Sequence, residues 1–396
     1  MSANPGDQGP RIIRVELTPI HVPFREEVRQ AMQAGEGGLG MAIPAEEAWL
    51  GGDFVICRLL CDDGSSGLGE VFVWLPETGV SPEHVISTIR DALGRYVLGE
   101  SPFAVERMTR RMDSNVARSG VAIGLLDMAC YDLMGRITGR PASDLMGGRH
   151  VDALHLCALV PLMDIESMDW LARSYLQGGV RSFRFKLGRG VGEDAAIMGR
   201  MRESLGEGAR FRVDYNQAYT PAQAVRAIKA IEPFGVEVAE QPVRTGDFQG
   251  MARVQRAVDT PLMAHESFFS LQDLVALNRL GAIGVVGVNA ERPGGITAAL
   301  RAIAYAELEG MGVVIHNQSL GIAAAAQIHL AAARYASLGY DPELFGQVMF
   351  EDDLIRDPIA YEGGTVRVPD GPGWGVELDE DALDRYAVGE RVVLEA

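Results

Sequence analysis

Cysteine is scarce, at four among 396 residues. So few thiols in so long a chain exclude a disulfide framework, and Cys57 and Cys61 lack a second pair of zinc ligands. Buried thiols in a reducing cytoplasm are the expectation. No run of about 18 apolar residues occurs, so no membrane-spanning helix is expected. The opening MSANPGDQGPRI has neither a basic flank nor an apolar stretch and does not read as a secretory signal. Positive charge is short as well: 36 Lys and Arg stand against 54 Asp and Glu, a net charge of -18. Neither nucleic acid nor an anionic membrane attracts such a surface. Low-complexity tracts and short solenoid repeats are also missing.

What is present is an ordinary apolar fraction, 47%, enough for two or three domains or one large barrel with attachments. From about residue 150 a slow rhythm of short apolar runs and helical stretches emerges. The predicted strands are Leu154–Val160, Ser182–Leu187, Phe211–Tyr215, Val236–Ala239, Leu262–Ala264, Ile283–Val288, Val313–Ile315 and Gln347–Phe350. Thr220-Pro221-Ala222-Gln223 opens one intervening helix with an N-cap, a first-turn proline and a capping-box Gln. About eight βα units in roughly 200 residues match a parallel (β/α) barrel. Ahead of them, Ile12–Val22 and Phe54–Leu60 alternate like antiparallel strands, and a Gly-containing turn, Asp62 to Gly67, separates the second of them from a further strand at Leu68, with helices beyond. The expected fold is therefore α/β: a modified TIM barrel (146–362) behind an α+β capping domain (1–145), which the C-terminal segment (363–396) rejoins. Arg25–Gly52 shows no steady period and reads as a lid loop.

Lys186, Asp214, Glu240, Glu266, Asn289 and His316 each fall at or just after the end of an apolar run, separated by 28, 26, 26, 23 and 27 residues. One βα unit has that length, so all six would project from the C-terminal rim, where barrel active sites lie. Singly, each has a plain explanation: an acid after a strand usually caps the next helix. Co-occurrence at one period is what that explanation leaves over. Three converging carboxylates, Asp214, Glu240 and Glu266, repel one another unless a cation sits among them, and hard oxygen donors favour Mg²⁺, with Mn²⁺ also possible. His265 is a competing ligand, though strand alternation points it away. Arg184 and Lys186, two apart, face the barrel interior. A cation and partial burial would bring Lys186 from a pKa of about 10.4 toward about 7, where a base is useful. His316, across the barrel, would face the other side of a substrate, with Asn289 orienting its ring.

These residues resemble the enolase superfamily, in its mandelate racemase-like branch. RFKLG (184–188) is similar to the K-x-K motif, with Arg184 in the first Lys position; VDYNQ (213–217), EQP (240–242) and MAHES (263–267) resemble the three metal-ligand motifs. RPGGIT (292–297), GLGEV (67–71), GLLDMACYDL (124–133) and PDGPGWGVELDED (369–381) extend the resemblance over nearly the whole chain. It implies Mg²⁺-dependent removal of the proton α to a carboxylate through a metal-stabilised enediolate. It further implies Glu351 as the acid near the end of strand eight, Asn216 as support for the metal site, and substrate contacts from Trp49 and Trp74 in the lid. A homo-oligomer acting on a small carboxylate is implied too. One position departs from both branches. The racemase branch carries Asp, and the muconate-lactonizing branch Lys, where this chain has Asn289. A competent Lys186 facing a weakened His316 favours one-sided chemistry: dehydration of a hydroxycarboxylic or sugar acid. Racemisation or epimerisation is the alternative, and a non-catalytic metal-binding barrel the second.

Overall fold

The computed structural model describes residues 9–33 and 50–396. Strands β1 (Ile12–Pro23), β2 (Gly51–Cys61) and β3 (Ser66–Phe72) form an antiparallel sheet. Asp62-Asp63-Gly64-Ser65 turns the chain between β2 and β3, with Gly64 at φ 87°. Short helices then lead to the long helix Gly120–Thr138, which is buried on every side along most of its length. That burial reflects its position: one face lies on the sheet, another on the barrel. Glycine makes both approaches possible. A Cβ on Gly69 of β3 would stand 2.4 Å from the Leu125 carbonyl, and one on Gly124 would stand 2.4 Å from the Glu291 carbonyl of the barrel.

The chain continues through β4 (Ala153–His155), β5 (Cys157–Val160), β6 (Ser182–Lys186), β7 (Arg210–Asp214), β8 (Val236–Glu240) and β9 (Leu262–Ala264). Then follow β10 (Val285–Val288), β11 (Gly312–Asn317), β12 (Glu343–Leu344), β13 (Tyr361–Glu362), β14 (Thr365–Arg367) and β15 (Val392–Glu395). Strands β5 to β12 make one eight-stranded parallel sheet in sequential order. It is nearly closed, with the Cys157 N–H donating to the Pro342 carbonyl at 2.9 Å across the seam. Helices cover its outside, so the strands are buried on both faces, as their apolar runs require. β15 pairs with β1, and β4 joins the hairpin β13–β14. That hairpin straddles residue 363, the expected start of the C-terminal segment. All four cysteines are buried without disulfides, and no helix among the described residues is long and apolar enough to cross a membrane.

Two expected strands are corrected. The run Leu154–Val160 is two strands broken at Leu156, of which only β5 belongs to the barrel. Barrel strand eight is the two-residue β12, and 347–349 of the expected strand lie in a helical turn, Gly346–Met349. Phe350 pairs instead with Phe24, where aromatic rings from both halves meet: Phe24, Phe54, Phe72, Trp74 and Phe350.

Buried acids lock the two halves together. Glu70 of β3 accepts from the N–H groups of Leu320, Ile322 and Ala323, at the start of helix Gly321–Ala333. Asp127 does the same for Thr297, at the start of helix Ile296–Leu308. Burial pushes Glu70 up to about 8, with Glu291 adding repulsion, and pushes Asp127 up to about 7. In the folded protein these groups keep protons that the unfolded chain has already released. Stability therefore decreases as pH rises from about 5 to about 8, the reverse of a salt-bridged carboxylate. Thermal midpoints across that window should fall, and Glu70→Gln should flatten the slope; midpoints that rise with pH would contradict this assignment.

Candidate active site

Register places the chemistry. Lys186 ends β6 opposite Asp214, which ends β7 opposite Glu240, which ends β8. One rung across three strands thus carries a base and two acids. The Lys186 Nζ donates to Asp214 Oδ2 at 2.6 Å and to Asn216 Oδ1. Asn216 sits just past β7 with φ 38°, a left-handed backbone that Asn tolerates. Its N–H donates to Asp214 Oδ1 and its Nδ2 to Glu266 Oε1, each at 2.9 Å. Asn216 therefore ties Lys186, Asp214 and Glu266 into one network.

Arg184 lies one rung deeper, 2% exposed. Its Nη1 bridges Asp214 Oδ2 and Glu240 Oε2, both at 2.9 Å, and its Nε stands 2.8 Å from Glu343 Oε2. Burial works against this charge, but Glu343, Glu240 and Asp214 outweigh it. Glu343, on β12, also pairs with Arg212 of β7 at 2.6 Å. Sequence reasoning missed Glu343, because a two-residue strand leaves no apolar run to mark it.

Glu266 and His265 follow β9. Gln241, just past β8 at φ 36° and wholly buried, holds this turn: its Oε1 accepts from the N–H groups of His265 and Ser267, and its Nε2 donates to Ser267 Oγ. His265 was expected to point away. Instead its Nδ1 lies 3.1 Å from Glu240 Oε1 and 3.7 Å from Glu266 Oε2. The reason is local: β9 stops at Ala264, so strand alternation no longer governs the next residue.

His316, on β11, is 1% exposed, and its ring lies 4.2 Å from that of His265. Neither ring nitrogen has a hydrogen-bond partner. Asn289 does not orient the ring as expected, because its Oδ1 accepts from the Glu291 N–H and closes a local turn. Burial, then Arg184, Arg292 and Lys186, push His316 well below the ordinary imidazole value, so it is neutral near pH 7. Glu351, the expected acid, is exposed, follows the helical turn rather than β12, and accepts from the Tyr386 hydroxyl. Trp74 lines the same cavity as Lys186, Asp214, Asn216, His265 and His316, whereas Trp49 lies outside the described residues.

Glu77, from the segment after Trp74, reaches this cavity as well. Its Oε1 lies 3.7 Å from His265 Nδ1 and pairs with Arg292 Nη1. Arg292, 3% exposed, retains Nε and Nη2 without hydrogen-bond partners. Those two nitrogens form the side-on fork that grips carboxylates. RPGGIT marked this turn in the sequence, but nothing there showed that Arg292 meets the site through Glu77.

The donor set suits a divalent cation. Glu240 Oε1 and Glu266 Oε2 are buried and accept no hydrogen bond. Burial, then Asp214, raise Glu240 well above the ordinary range; burial, then Asp214 and Glu77, push Glu266 up to about 7. A cation among these acids would relieve that penalty.

Comparison with known proteins agrees with this construction. Residues 46–147 match the mandelate racemase/muconate lactonizing enzyme N-terminal domain, and residues 167–382 match the enolase C-terminal domain-like family. The chain belongs to the mandelate racemase/muconate lactonizing enzyme family of the enolase superfamily, and it is an enzyme. It is 28% identical over 341 residues to N-succinyl-L-Arg/Lys racemase of Bacillus cereus, covering 86% of this chain and 91% of that protein. It is 30% identical over 342 residues to chloromuconate cycloisomerase of Cupriavidus pinatubonensis, covering 84% and 91%. The crystal structure of the Bacillus cereus racemase superposes with a TM-score of 0.88 at 26% identity, covering 97% of this chain and all of that one. Such relatives are isomerases, and the chemistry they share is proton abstraction next to a carboxylate.

Proposed function

We propose that Lys186 removes the hydrogen α to the carboxylate of a small hydroxycarboxylic or sugar acid, and that the β-hydroxyl then leaves as water. The observation that carries this is the asymmetry of the site. Lys186 shares a rung with Asp214 and Glu240, whereas His316 opposite has neither a hydrogen-bond partner nor an oriented acidic neighbour closer than Glu343 at 3.8 Å. Asp214, Glu240 and Glu266 would hold a divalent cation, Mg²⁺ or Mn²⁺, which when bound supplies positive charge to the substrate carboxylate. Lys186 takes the α-proton, and Asn216 and Asp214 fix its direction. The same ammonium, now on the face where the proton was lost, protonates the departing hydroxyl. For a substrate that carries hydroxyls on both the α- and β-carbons, the product is the enol of a 2-keto acid, which ketonises in water. His316 is a poor proton source for the other face, because Arg184, Arg292 and Lys186 disfavour its protonated form.

A second reading, racemisation or epimerisation, is favoured by one observation: Lys186 and His316 line the same cavity, as two groups working on opposite faces of one substrate would. Similar proteins named as racemases and epimerases support it. Proton NMR in D₂O with the cation, across hydroxy acids, sugar acids and N-acyl amino acids, separates the two. A 2-keto acid supports dehydration; deuterium uptake with inversion and no keto acid supports the second reading; absence of any exchange removes both.

Arg292, paired with Glu77 of the cavity and with Nε and Nη2 free of hydrogen-bond partners, would receive a further anionic or carbonyl group of the substrate. Arg292→Met should raise KM for the preferred substrate roughly tenfold or more with little change in kcat. Unchanged steady-state KM would show that Arg292 only clamps Glu77.

A further inference from the structure

The oxygens on the central rung are unequally available. Asp214 Oδ1 already accepts the Asn216 N–H, and Oδ2 accepts both Lys186 and Arg184. Glu240 Oε1 and Glu266 Oε2 accept nothing. The group nearest to both is a nitrogen, His265 Nδ1, at 3.1 and 3.7 Å. The contact with Glu240 is close, yet Glu240 Oε1 has no hydrogen-bond partner, so the two atoms converge without satisfying each other. Donor atoms from Glu240, His265 and Glu266 all lie within 4.8 Å of one another, the spread of ligands around one ion. Packing holds the ring in place. Gly287 of β10 leaves open the space beside it, where a Cβ would stand 3.2 Å from His265 Cδ2, and the His316 ring closes the other side.

We propose that His265 is an additional direct ligand of the cation through Nδ1, beside Glu240 and Glu266, while Asp214 divides its oxygens between the cation and its anchoring of Lys186 and Arg184. This deepens the reading above and rests on it for the presence of a cation. It accounts for Arg184 and His265 together. Arg184 commits its Nη1 to Asp214 Oδ2, where a lysine would offer a single point of charge, and His265 supplies a donor that makes up for the oxygen so engaged. One imidazole among carboxylates moves the site from hard all-oxygen ligation toward borderline metals. Mn²⁺ and Co²⁺ should therefore bind more tightly than Mg²⁺.

The test is spectroscopic and independent of turnover. Full-length protein loaded with Mn²⁺ should show nitrogen modulation in its electron spin echo. His265→Ala should abolish that modulation, and His316→Ala, which removes the neighbouring ring, should retain it. The ratio of Mn²⁺ to Mg²⁺ affinity by calorimetry should drop roughly tenfold in His265→Ala. If His265→Ala does not fold, wild-type protein labelled with ¹⁵N-histidine should still report the coupling through its changed modulation frequency. Wild-type modulation without nitrogen, or modulation lost in His316→Ala but kept in His265→Ala, overturns the proposal. Nitrogen coupling in a protein that exchanges no α-hydrogen leaves the ligand assignment standing and removes the functional reading. Failure to bind Mn²⁺ at all overturns both.

Discussion

Lys186→Ala should lower α-hydrogen exchange by about 10²- to 10⁴-fold, the usual contribution of a positioned general base. The effect should fall on kcat, because in the proposed mechanism Lys186 would meet the reacting hydrogen and not the oxygens of Glu240 and Glu266 that would hold the cation. The fold should survive: Asp214 keeps its bonds to Arg184 and to the Asn216 N–H when the amine is gone. His316→Asn offers the contrast. Under one-sided chemistry it leaves exchange and keto-acid formation largely intact, whereas under the second reading it removes inversion at the α-carbon. Rates from NMR in D₂O, with circular dichroism to confirm folding, decide the matter. A Lys186→Ala protein that exchanges deuterium as fast as wild type would leave the site without its base.

Arg184→Leu should cost about 3 to 5 kcal/mol of folding stability, the range for breaking a buried ion pair from one side. The magnitude follows from what is left behind. Asp214, Glu240 and Glu343, each at most 1% exposed, would lose their shared cation at once. Arg212 can compensate only Glu343. Adding a divalent cation should recover part of the loss by neutralising Glu240. Urea denaturation with and without the cation measures both effects. A change below about 1 kcal/mol would mean that these acids take up protons and have little need of the guanidinium.

Much of this was legible before the structure. The period of 26 to 28 residues between Lys186, Asp214 and Glu240 is the length of a βα unit, and parallel register turns equal spacing into one rung. Strand eight was not legible, because Glu343–Leu344 carries no apolar run, and the next apolar residues belong to a helical turn. Glu351 was carried along with that misplaced strand. His265 was misjudged for a related reason. Alternation holds only while the backbone stays extended, and Gln241 folds the backbone after Ala264 into a turn. Asn289 illustrates a different limit: an amide can bond its own backbone, and here it does so in preference to a distant ring. The fork of Arg292 depends on Glu77, 215 residues earlier, and no local pattern reports a pairing at that range.

Glu77 and Trp74 follow β3, on the sheet side of the molecule, whereas the base and its acids stand on strand ends of the barrel. Under the proposed mechanism, choice of substrate and removal of its proton would fall to separately encoded stretches of chain. Substitutions between Trp74 and Thr78 can therefore change which acid is accepted without disturbing the rung that reacts with it. The same barrel can in this way be redirected to a new compound by changes confined to a few positions outside it.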